Sequence, residues 1–328
     1  AKTLFPYTTL FRSKEEASKN LGRLGRRMTK HKRPMAVANQ ISEMLNQVLG
    51  INRYPVDVQQ LALEYTHQCF PDSPITKIQG EHIDGFEGML KANKSKTKWL
   101  IVYNDGNGSE GRQRFTVAHE LGHYMVHREL QNEFACLDDE ISTGERSKRD
   151  IEAEADQFAS TLLMPYDDFR RQVNGQPISF DLIGHCADRY GVSLTAAALR
   201  WIDIAPERAI LIASRDDHML WAKSNEDAFK SKAYFATRKN VIELPRTALA
   251  HSANAGVAVS QQDIRANTWL INEPGYVRAQ ELVKSAGQYD YKLTLLLLPQ
   301  AEWRRPTHED EEAEEDTFDR LTRNGQPL

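Results

Sequence analysis

The sequence predicts an α+β fold in two parts: a first domain over residues 35–205 and a smaller, mostly β domain over residues 206–303. In the first part, two helical patterns are followed by short strand patterns and then by two longer helical patterns, whereas strand patterns dominate the second part. A chain of 328 residues, of which 40% are hydrophobic, is long enough to bury two cores.

Two helices are predicted first, one with a residue that marks its C-terminal end and one with a residue that marks its N-terminal end. Pro34–Leu49 has apolar residues at helical spacing, and Gly50 stops the helix. Pro55–Tyr65 is predicted as a second helix, capped by Asp57. Strands are expected next at Ile75–Ile78, Gly85–Leu90 and Lys98–Asn104.

The segment Arg114–His127 contains an HExxH motif, with His119, Glu120 and His123 as its fixed positions. If the segment is helical, the two histidines lie four residues apart on one face. Both imidazoles can then bind one zinc ion while Glu120 faces a water at the metal. Apolar residues at the positions of a buried helix and the absence of proline support a helix here. The motif is typical of a metal-dependent hydrolase.

Such a site needs a third protein ligand. The extended pattern HExxHxxGxxH is excluded, because Val126 and Glu129 stand where it requires glycine and histidine. The other known solution takes a glutamate from a second helix downstream, and residues 150–165 predict an amphipathic helix with several acids.

Glu152 is the favoured third ligand on this helix. Asp156 lies one turn further on the same face, where it can accept the outward N–H of a ligating histidine and fix its tautomer. Glu154 is the alternative ligand, but it lies about 200° around the helix from Glu152, so the two cannot serve the same site.

The two motifs resemble the signature of the ImmA/IrrE metallopeptidases. That signature couples Arg-Phe-Thr-x-Ala-His-Glu-Leu-Gly-His to Glu-x-x-Ala-Asp/Asn-x-Phe-Ala-x-x-Leu-Leu-Met-Pro, and the matching segments are Arg114–His123 and Glu152–Pro165. The resemblance covers roughly residues 35–205. It implies a zinc-dependent endopeptidase of the cytoplasm. The expected substrate is an XRE-type helix-turn-helix repressor, whose cleavage derepresses stress, phage or mobile-element genes.

The ligand set predicts the chemistry. Zn²⁺ held by two neutral imidazoles and one carboxylate lowers the pKa of water and polarises a scissile carbonyl. Glu120 is expected to accept the proton of the water and to pass it to the leaving amine. Mn²⁺ fits the same nitrogen and oxygen ligands, so either metal can serve in the cell.

Further residues near the motif have secondary assignments. His127 is interpreted as a residue that packs beside or supports a metal ligand, rather than as a ligand. Tyr124 and His185 are candidates for an oxyanion donor, and a structural role is favoured for each. Proteins resembling this one use a strand at the cleft rim to pair with extended substrate. Such a rim strand and a plain core strand are equally open interpretations of Lys98, Trp99, Leu100, Ile101, Val102, Tyr103 and Asn104.

Residues 178–202 predict a helix, a Tyr-Gly-Val-Ser turn and a second helix, which is the outline of a helix-turn-helix. The second helix, Leu194–Ile202, offers only Arg200 as a cation. A DNA-reading helix normally makes several phosphate contacts. A helical support packed under the metal site is therefore favoured over DNA recognition.

The second part has strand patterns at Ala209–Ala213, His218–Ala222 and Tyr289–Leu298. Some relatives carry a sensory domain here, but no residue identifies a ligand. Residues 304–328 are predicted as a disordered acidic tail. Residues 1–34 are predicted as a leader, in which residues 3–13 resemble the translation of a sequencing-library adapter and are set aside.

Composition narrows the remaining classes. A net charge of −4 gives no general attraction to nucleic acid or to an anionic membrane. Three cysteines without a CxxC pair fit a reducing cytoplasm, and no apolar run is long enough to span a membrane. The alternative function is a non-catalytic DNA-binding or antitoxin-type regulator that retains the metallopeptidase fold. A relic of that kind has no chemical reason to keep both ligands and base. A hydrolase of small molecules, with a closed pocket instead of a groove, is a third option.

Overall fold

The computed structural model describes residues 33–106, 109–137, 146–252, 260–285 and 291–301. The predicted acidic tail and nearly all of the predicted leader lie outside these residues. By compactness the chain divides into two units. Unit 1 comprises the residues up to Pro165 together with Arg189–Ser193, and unit 2 comprises Tyr166–Asp188 and the residues from Leu194 onward.

The described residues of unit 1 form four helices, a π-helical turn and a four-stranded sheet. In chain order these are α1 (Pro34–Leu49), α2 (Val58–Cys69), β1 (Ile75–Glu81), β2 (Phe86–Ala92), β3 (Trp99–Asn104), α3 (Glu110–Gly122), the π-turn (His123–His127), β4 (Glu133–Leu137) and α4 (Arg146–Leu163). The strand order is β1-β3-β2-β4. Strands β1 and β3 are parallel, and the other two pairs are antiparallel. The predicted mixed α+β class is confirmed.

The ends of α1 and α2 follow from local chemistry. Gly50 follows α1 with a φ of 80°, a conformation that glycine adopts without steric cost. Asp57 caps α2, because its side chain accepts a hydrogen bond of 3.0 Å from the backbone N–H of Gln60. Helix α1 ends where Gly50 predicted. Asp57 caps α2 as predicted, but α2 covers Val58–Cys69 and not the predicted Pro55–Tyr65.

Strand β3 is an internal strand of the sheet. It pairs with β1 along one side and with β2 along the other, and Ile101 is completely buried. Strand addition needs a free edge, which β3 lacks. Of the two interpretations of residues 98–104, the structure therefore has the core strand, and the strands at the edges of this sheet are β1 and β4.

Helices α3 and α4 pack against each other at very short range. A Cβ atom built on Gly122 would lie 3.1 Å from the carbonyl oxygen of Ala155 and 3.1 Å from the Phe158 ring. Ala155 and Phe158 are completely buried, as is Leu121 on α3. The lack of a side chain at position 122 therefore sets how closely the two helices approach.

The short segment Arg189–Ser193 returns to unit 1, and it lies against α3. The carbonyl of Gly191 accepts a hydrogen bond from the Arg114 guanidinium, and Tyr190 packs edge-on against Tyr54 with ring centroids 5.0 Å apart. Gly191 has a φ of 61°, and a Cβ there would collide with Arg114. The segment therefore fixes the N-terminal half of α3.

Unit 2 contains the remaining helices and a five-stranded sheet. Its elements are α5 (Tyr166–Val173), α6 (Phe180–Tyr190), α7 (Leu194–Ile202), β5 (Arg208–Arg215), β6 (His218–Ser224), α8 (Glu226–Lys230), α9 (Leu249–Ser252), β7 (Ser260–Arg265), β8 (Arg278–Ser285) and β9 (Lys292–Leu298). The order β6-β5-β9-β8-β7 is antiparallel throughout. The predicted β character of the C-terminal part is confirmed. No helix among the described residues is both long and apolar enough to cross a lipid bilayer.

The predicted helix pair over residues 178–202 exists as α6 and α7, but the one cation of the second helix is not available to phosphates. Arg200 is 3% exposed, and its guanidinium carbon lies 3.9 Å from the centroid of the Tyr166 ring. Helix α7 packs on β5 and β6. It therefore supports the sheet of unit 2, whereas the sequence predicted a support packed under the metal site.

Candidate metal centre

Three side chains from two helices converge within unit 1. His119 lies in the last turn of α3, His123 begins the π-turn, and Glu152 lies on α4. The Nε2 atoms of His119 and His123 lie 3.1 and 3.3 Å from Glu152 Oε2, and one ligand atom of each residue lies within 4.8 Å of the others. These are the three residues that the sequence proposed as ligands.

The spacing of these atoms fits a tetrahedral metal. Ligand atoms at about 2 Å from zinc are separated by about 3.3 Å in a tetrahedral arrangement. His123 Nε2 is buried and has no hydrogen-bond partner among the described residues. A buried polar atom normally has a partner, so a cation at this point would satisfy an atom that the protein leaves unsatisfied. The residues present therefore fit a divalent metal ion.

Asp156 determines which ring nitrogen of His119 carries the proton. Its Oδ1 lies 2.7 Å from His119 Nδ1. An ionised carboxylate only accepts hydrogen bonds, so the proton of a neutral His119 ring resides on Nδ1. The lone pair of His119 Nε2 then points at Glu152, which is the arrangement that a shared cation stabilises.

Burial and neighbouring side chains together determine the charge of the other two proposed ligands. Complete burial lowers the pKa of His123 to about 4, and the neighbouring Glu152 carboxylate offsets this only in part. His123 is therefore neutral at neutral pH, as a metal ligand must be. Burial alone would raise the pKa of Glu152, but the adjacent rings of His119 and His123 outweigh it and hold that pKa below its ordinary value.

Glu120 is completely buried and lies against β2. A Cβ atom on Gly88 would lie 2.7 Å from Glu120 Oε1 and 2.6 Å from Thr116 Cγ2. The absence of a side chain at Gly88 therefore leaves the space that this carboxylate occupies. The sequence analysis missed Gly88, although a glycine inside a strand pattern is a known sign of close approach.

The π-turn brings a third histidine beside the site. His127 Nδ1 lies 3.2 Å from His123 Nδ1, and His127 Nε2 lies 2.8 Å from Glu154 Oε2. His127 therefore contacts a proposed ligand without joining the converging group. Helix spacing left Glu154 without a role once Glu152 was taken as the ligand. A contact with the site through another side chain, here His127, cannot be read from that spacing.

Phe134 on β4 is a further residue that the sequence missed. Its ring stacks on His123 with centroids 4.6 Å apart and planes 15° from parallel. Among the residues that the structure describes, strand β4 pairs only with β2. An edge strand thus lies directly beside the converging side chains.

The two candidates for an oxyanion donor have other surroundings. The Tyr124 hydroxyl donates a hydrogen bond of 2.8 Å to the carbonyl of Ser73, and Tyr124 is completely buried. Its hydroxyl is already committed, which agrees with the structural role favoured for it. His185 lies exposed on α6.

Part of the chain is similar to known proteins. Residues 71–201 match the family model described as the IrrE N-terminal-like domain. Metallopeptidase ImmA of Bacillus subtilis (strain 168) is 34% identical over 77 residues, which are 24% of this chain and 41% of that protein. A solved structure of a Mycobacterium tuberculosis transcriptional regulator aligns with a TM-score of 0.44 and 14% identity, over 90% of this chain and 82% of that one. At that score the likeness establishes neither fold nor function.

The α+β fold and the converging His, His and Glu side chains define a domain of the metallopeptidase class. Within this class, residues 71–201 match the IrrE N-terminal-like domain and part of the chain is similar to metallopeptidase ImmA, which agrees with the resemblance of its two motifs to the ImmA/IrrE family. The matched segment ends close to the predicted boundary at residue 205, whereas the compact units divide elsewhere. That boundary stays a prediction.

Proposed function

We propose that this protein is a zinc-dependent endopeptidase, with His119, His123 and Glu152 as metal ligands and Glu120 as general base. The observation that carries the proposal is the unpartnered, buried Nε2 of His123 beside Glu152 and His119. Two imidazoles and one carboxylate are the ligand set of catalytic zinc sites that keep a fourth position for water or substrate.

The catalytic roles follow from position. A zinc ion, when bound, supplies a Lewis acid that polarises the scissile carbonyl and makes water easier to deprotonate. Glu120 follows His119 directly in the chain and is held in a dry niche against Gly88. It is the group that would take the proton from the attacking water and deliver it to the leaving amine. Asp156 would hold His119 in the tautomer that leaves Nε2 for the metal.

Strand β4 is the proposed docking edge for substrate. No described strand pairs with its second side, and its residue Phe134 stacks on His123. An extended peptide can add to such an edge by main-chain hydrogen bonds. This role was considered for residues 98–104, which have no free edge. A substrate bound as an extended strand is a protein or peptide rather than a small metabolite.

The substrate that we propose is an XRE-type helix-turn-helix repressor in the bacterial cytoplasm, whose cleavage would derepress stress, phage or mobile-element genes. The match of residues 71–201 to the IrrE N-terminal-like domain and the similarity to metallopeptidase ImmA support this class. The non-catalytic DNA-binding alternative is less favoured, because Arg200, the cation of α7, is buried against Tyr166.

The test is a Glu120→Gln variant with Glu129→Gln as its control, because Glu129 undergoes the same chemical change at an exposed position. Each protein is incubated with zinc and with repressors encoded beside its gene, and cleavage is followed by mass spectrometry. Glu120→Gln should bind zinc normally and cleave about 10²- to 10⁴-fold more slowly. Cleavage by Glu120→Gln at the rate of the control, or no cleavage of any repressor by zinc-loaded wild type, would contradict the proposal.

A further inference from the structure

We propose that His127 and Glu154 are positioning residues that together fix the tautomer and the orientation of His123. The inference deepens the proposed metal site and rests on it. Asp156 performs the corresponding task for His119 through one direct contact. For His123 the structure provides a longer arm, made of a second imidazole and a carboxylate.

The arm begins at the Nδ1 side of the His123 ring, whereas Glu152 contacts the ring at Nε2. His123 is completely buried, and its Nδ1 faces the Nδ1 of His127 at 3.2 Å. His127 is 2% exposed, and its Nε2 lies 2.8 Å from the Glu154 carboxylate. The Glu154 side chain is 40% exposed. The arm therefore leads from a buried ligand to a carboxylate at the surface.

When both rings are neutral, the hydrogen bonds of the arm allow one consistent assignment of the ring protons. The ionised Glu154 carboxylate accepts only, so His127 carries its proton on Nε2 and has a lone pair on Nδ1. That lone pair must accept, so His123 donates from Nδ1. His123 then presents the lone pair of Nε2 towards Glu152, where a metal ligand is needed.

The same assignment explains why His127 is not itself a ligand. Both of its ring nitrogens are engaged, one by His123 and the other by Glu154, and neither belongs to the converging group of His119, His123 and Glu152. The wider turn of a π-helix carries His123 and His127, and such turns recur at functional sites. His127 thus supports a ligand from behind.

Two substitutions at position 127 separate positioning from packing. His127→Asn keeps an acceptor oxygen close to the place of Nδ1 but removes volume from a buried site. His127→Leu keeps apolar volume beside Phe134, whose ring centroid lies 6.1 Å from that of His127, but removes the acceptor. A packing role predicts that asparagine is the more harmful change, whereas a positioning role predicts the reverse for metal affinity.

The measurement is zinc affinity by chelator competition on the full chain, with the thermal midpoint of the metal-free protein recorded for each variant. His127→Leu and Glu154→Ala should each weaken zinc binding by about 10-fold or more, and His127→Asn should stay within about threefold of wild type. Asp150→Asn is the matched control: it removes one acid from an exposed position on the same helix and should leave zinc affinity unchanged.

A second readout needs no metal. The side-chain ¹⁵N shifts of the metal-free protein should report His127 protonated on Nε2, and Glu154→Ala should remove that preference. Wild-type zinc affinity in His127→Leu, or equal losses in His127→Leu and His127→Asn, would overturn the inference while leaving the proposed peptidase intact. No zinc binding by the wild type would instead overturn the proposed function, and this inference with it.

Discussion

Gly88 shows at the scale of one residue how little space surrounds the proposed general base. Its strand, β2, is paired on both sides, with β3 and with β4, so its backbone cannot retreat. Any added methyl group must therefore push Glu120 or Thr116, whose atoms lie within 2.7 Å of it.

We expect Gly88→Ala to lower kcat by about 10²-fold, because a displacement of roughly 1 Å at the reacting group has an effect of this size. Zinc content should stay unchanged, because the three atoms nearest to the added methyl group belong to Thr116 and Glu120 and not to a proposed ligand. Steady-state cleavage rates and metal analysis of the purified variant check this. An unchanged kcat would mean that Glu120 does not need its present position.

The buried histidine His123 makes the metal-free protein sensitive to acid. Its pKa is about 4 in the folded chain and about 6.5 in the unfolded chain. As the pH falls below about 6.5, the unfolded state takes up the proton first, so folding loses free energy until the pH nears the folded pKa. Burial also lowers the pKa of His127, which acts in the same direction.

We expect the metal-free wild type to lose about 3 kcal/mol from this one group between pH 6.5 and pH 4. Urea unfolding of wild type and of His123→Asn at a series of pH values measures the effect. The stability difference between the two proteins should change in favour of the variant as the pH falls. A difference that does not depend on pH would contradict the burial of a neutral imidazole.

The residues of the site could be predicted to the extent that they repeat along a helix. His119 and His123 are four residues apart, and so are Glu152 and Asp156, so helix geometry alone places each pair on one face. Gly88, Phe134 and Glu154 act through contacts with distant parts of the chain. No spacing in the sequence expresses such contacts, so Gly88 and Phe134 were missed and Glu154 was considered only as an alternative ligand.

At the scale of elements, two glycines in helices have opposite surroundings. Gly122 on α3 faces the backbone of Ala155, whereas Gly184 on α6 has no atom within 4 Å of an added Cβ. Alanine stabilises a helix over glycine by about 1 kcal/mol where space is free. Overpacking costs about 1–3 kcal/mol where it is not.

We therefore expect Gly184→Ala to raise the thermal midpoint and Gly122→Ala to lower it. Gly122→Ala should also weaken zinc binding, because the added methyl group pushes α3 away from the helix that carries Glu152. Calorimetry and chelator competition on the two variants test both effects. A Gly122→Ala protein with raised stability and normal zinc affinity would show that the helices can shift without cost to the site.

Elements with strong periodicity or end signals were predicted well, whereas the edge strands β4 and β7 were not. The pattern of β7 is Ser-Gln-Gln-Asp-Ile-Arg, too polar to mark a strand, and β4 has only five residues. Each is an edge strand that forms because a neighbour offers its backbone. The central place of β3 likewise depends on a partner, β1, that lies far away in the chain.

At the scale of the whole molecule, the proposed ligands all belong to unit 1. A ligand that binds only the folded state stabilises what it binds, by about 4 kcal/mol at 1,000 times its Kd. We expect zinc to slow amide exchange in α3 and α4 and to leave β5 and β9 of unit 2 unchanged. Hydrogen-exchange mass spectrometry with and without zinc measures this. Equal protection of both units would show that they open as a single cooperative body.

The return of Arg189–Ser193 to unit 1 restricts how such a chain can be reshuffled. A single crossover that replaced everything after Pro165 would also replace the carbonyl on which Arg114 depends. An exchanged C-terminal half must therefore bring a loop that fits against α3 in the same way. Otherwise two further crossovers are needed to keep the original Arg189–Ser193 loop. Chimaeras between relatives should succeed only where this five-residue graft is compatible.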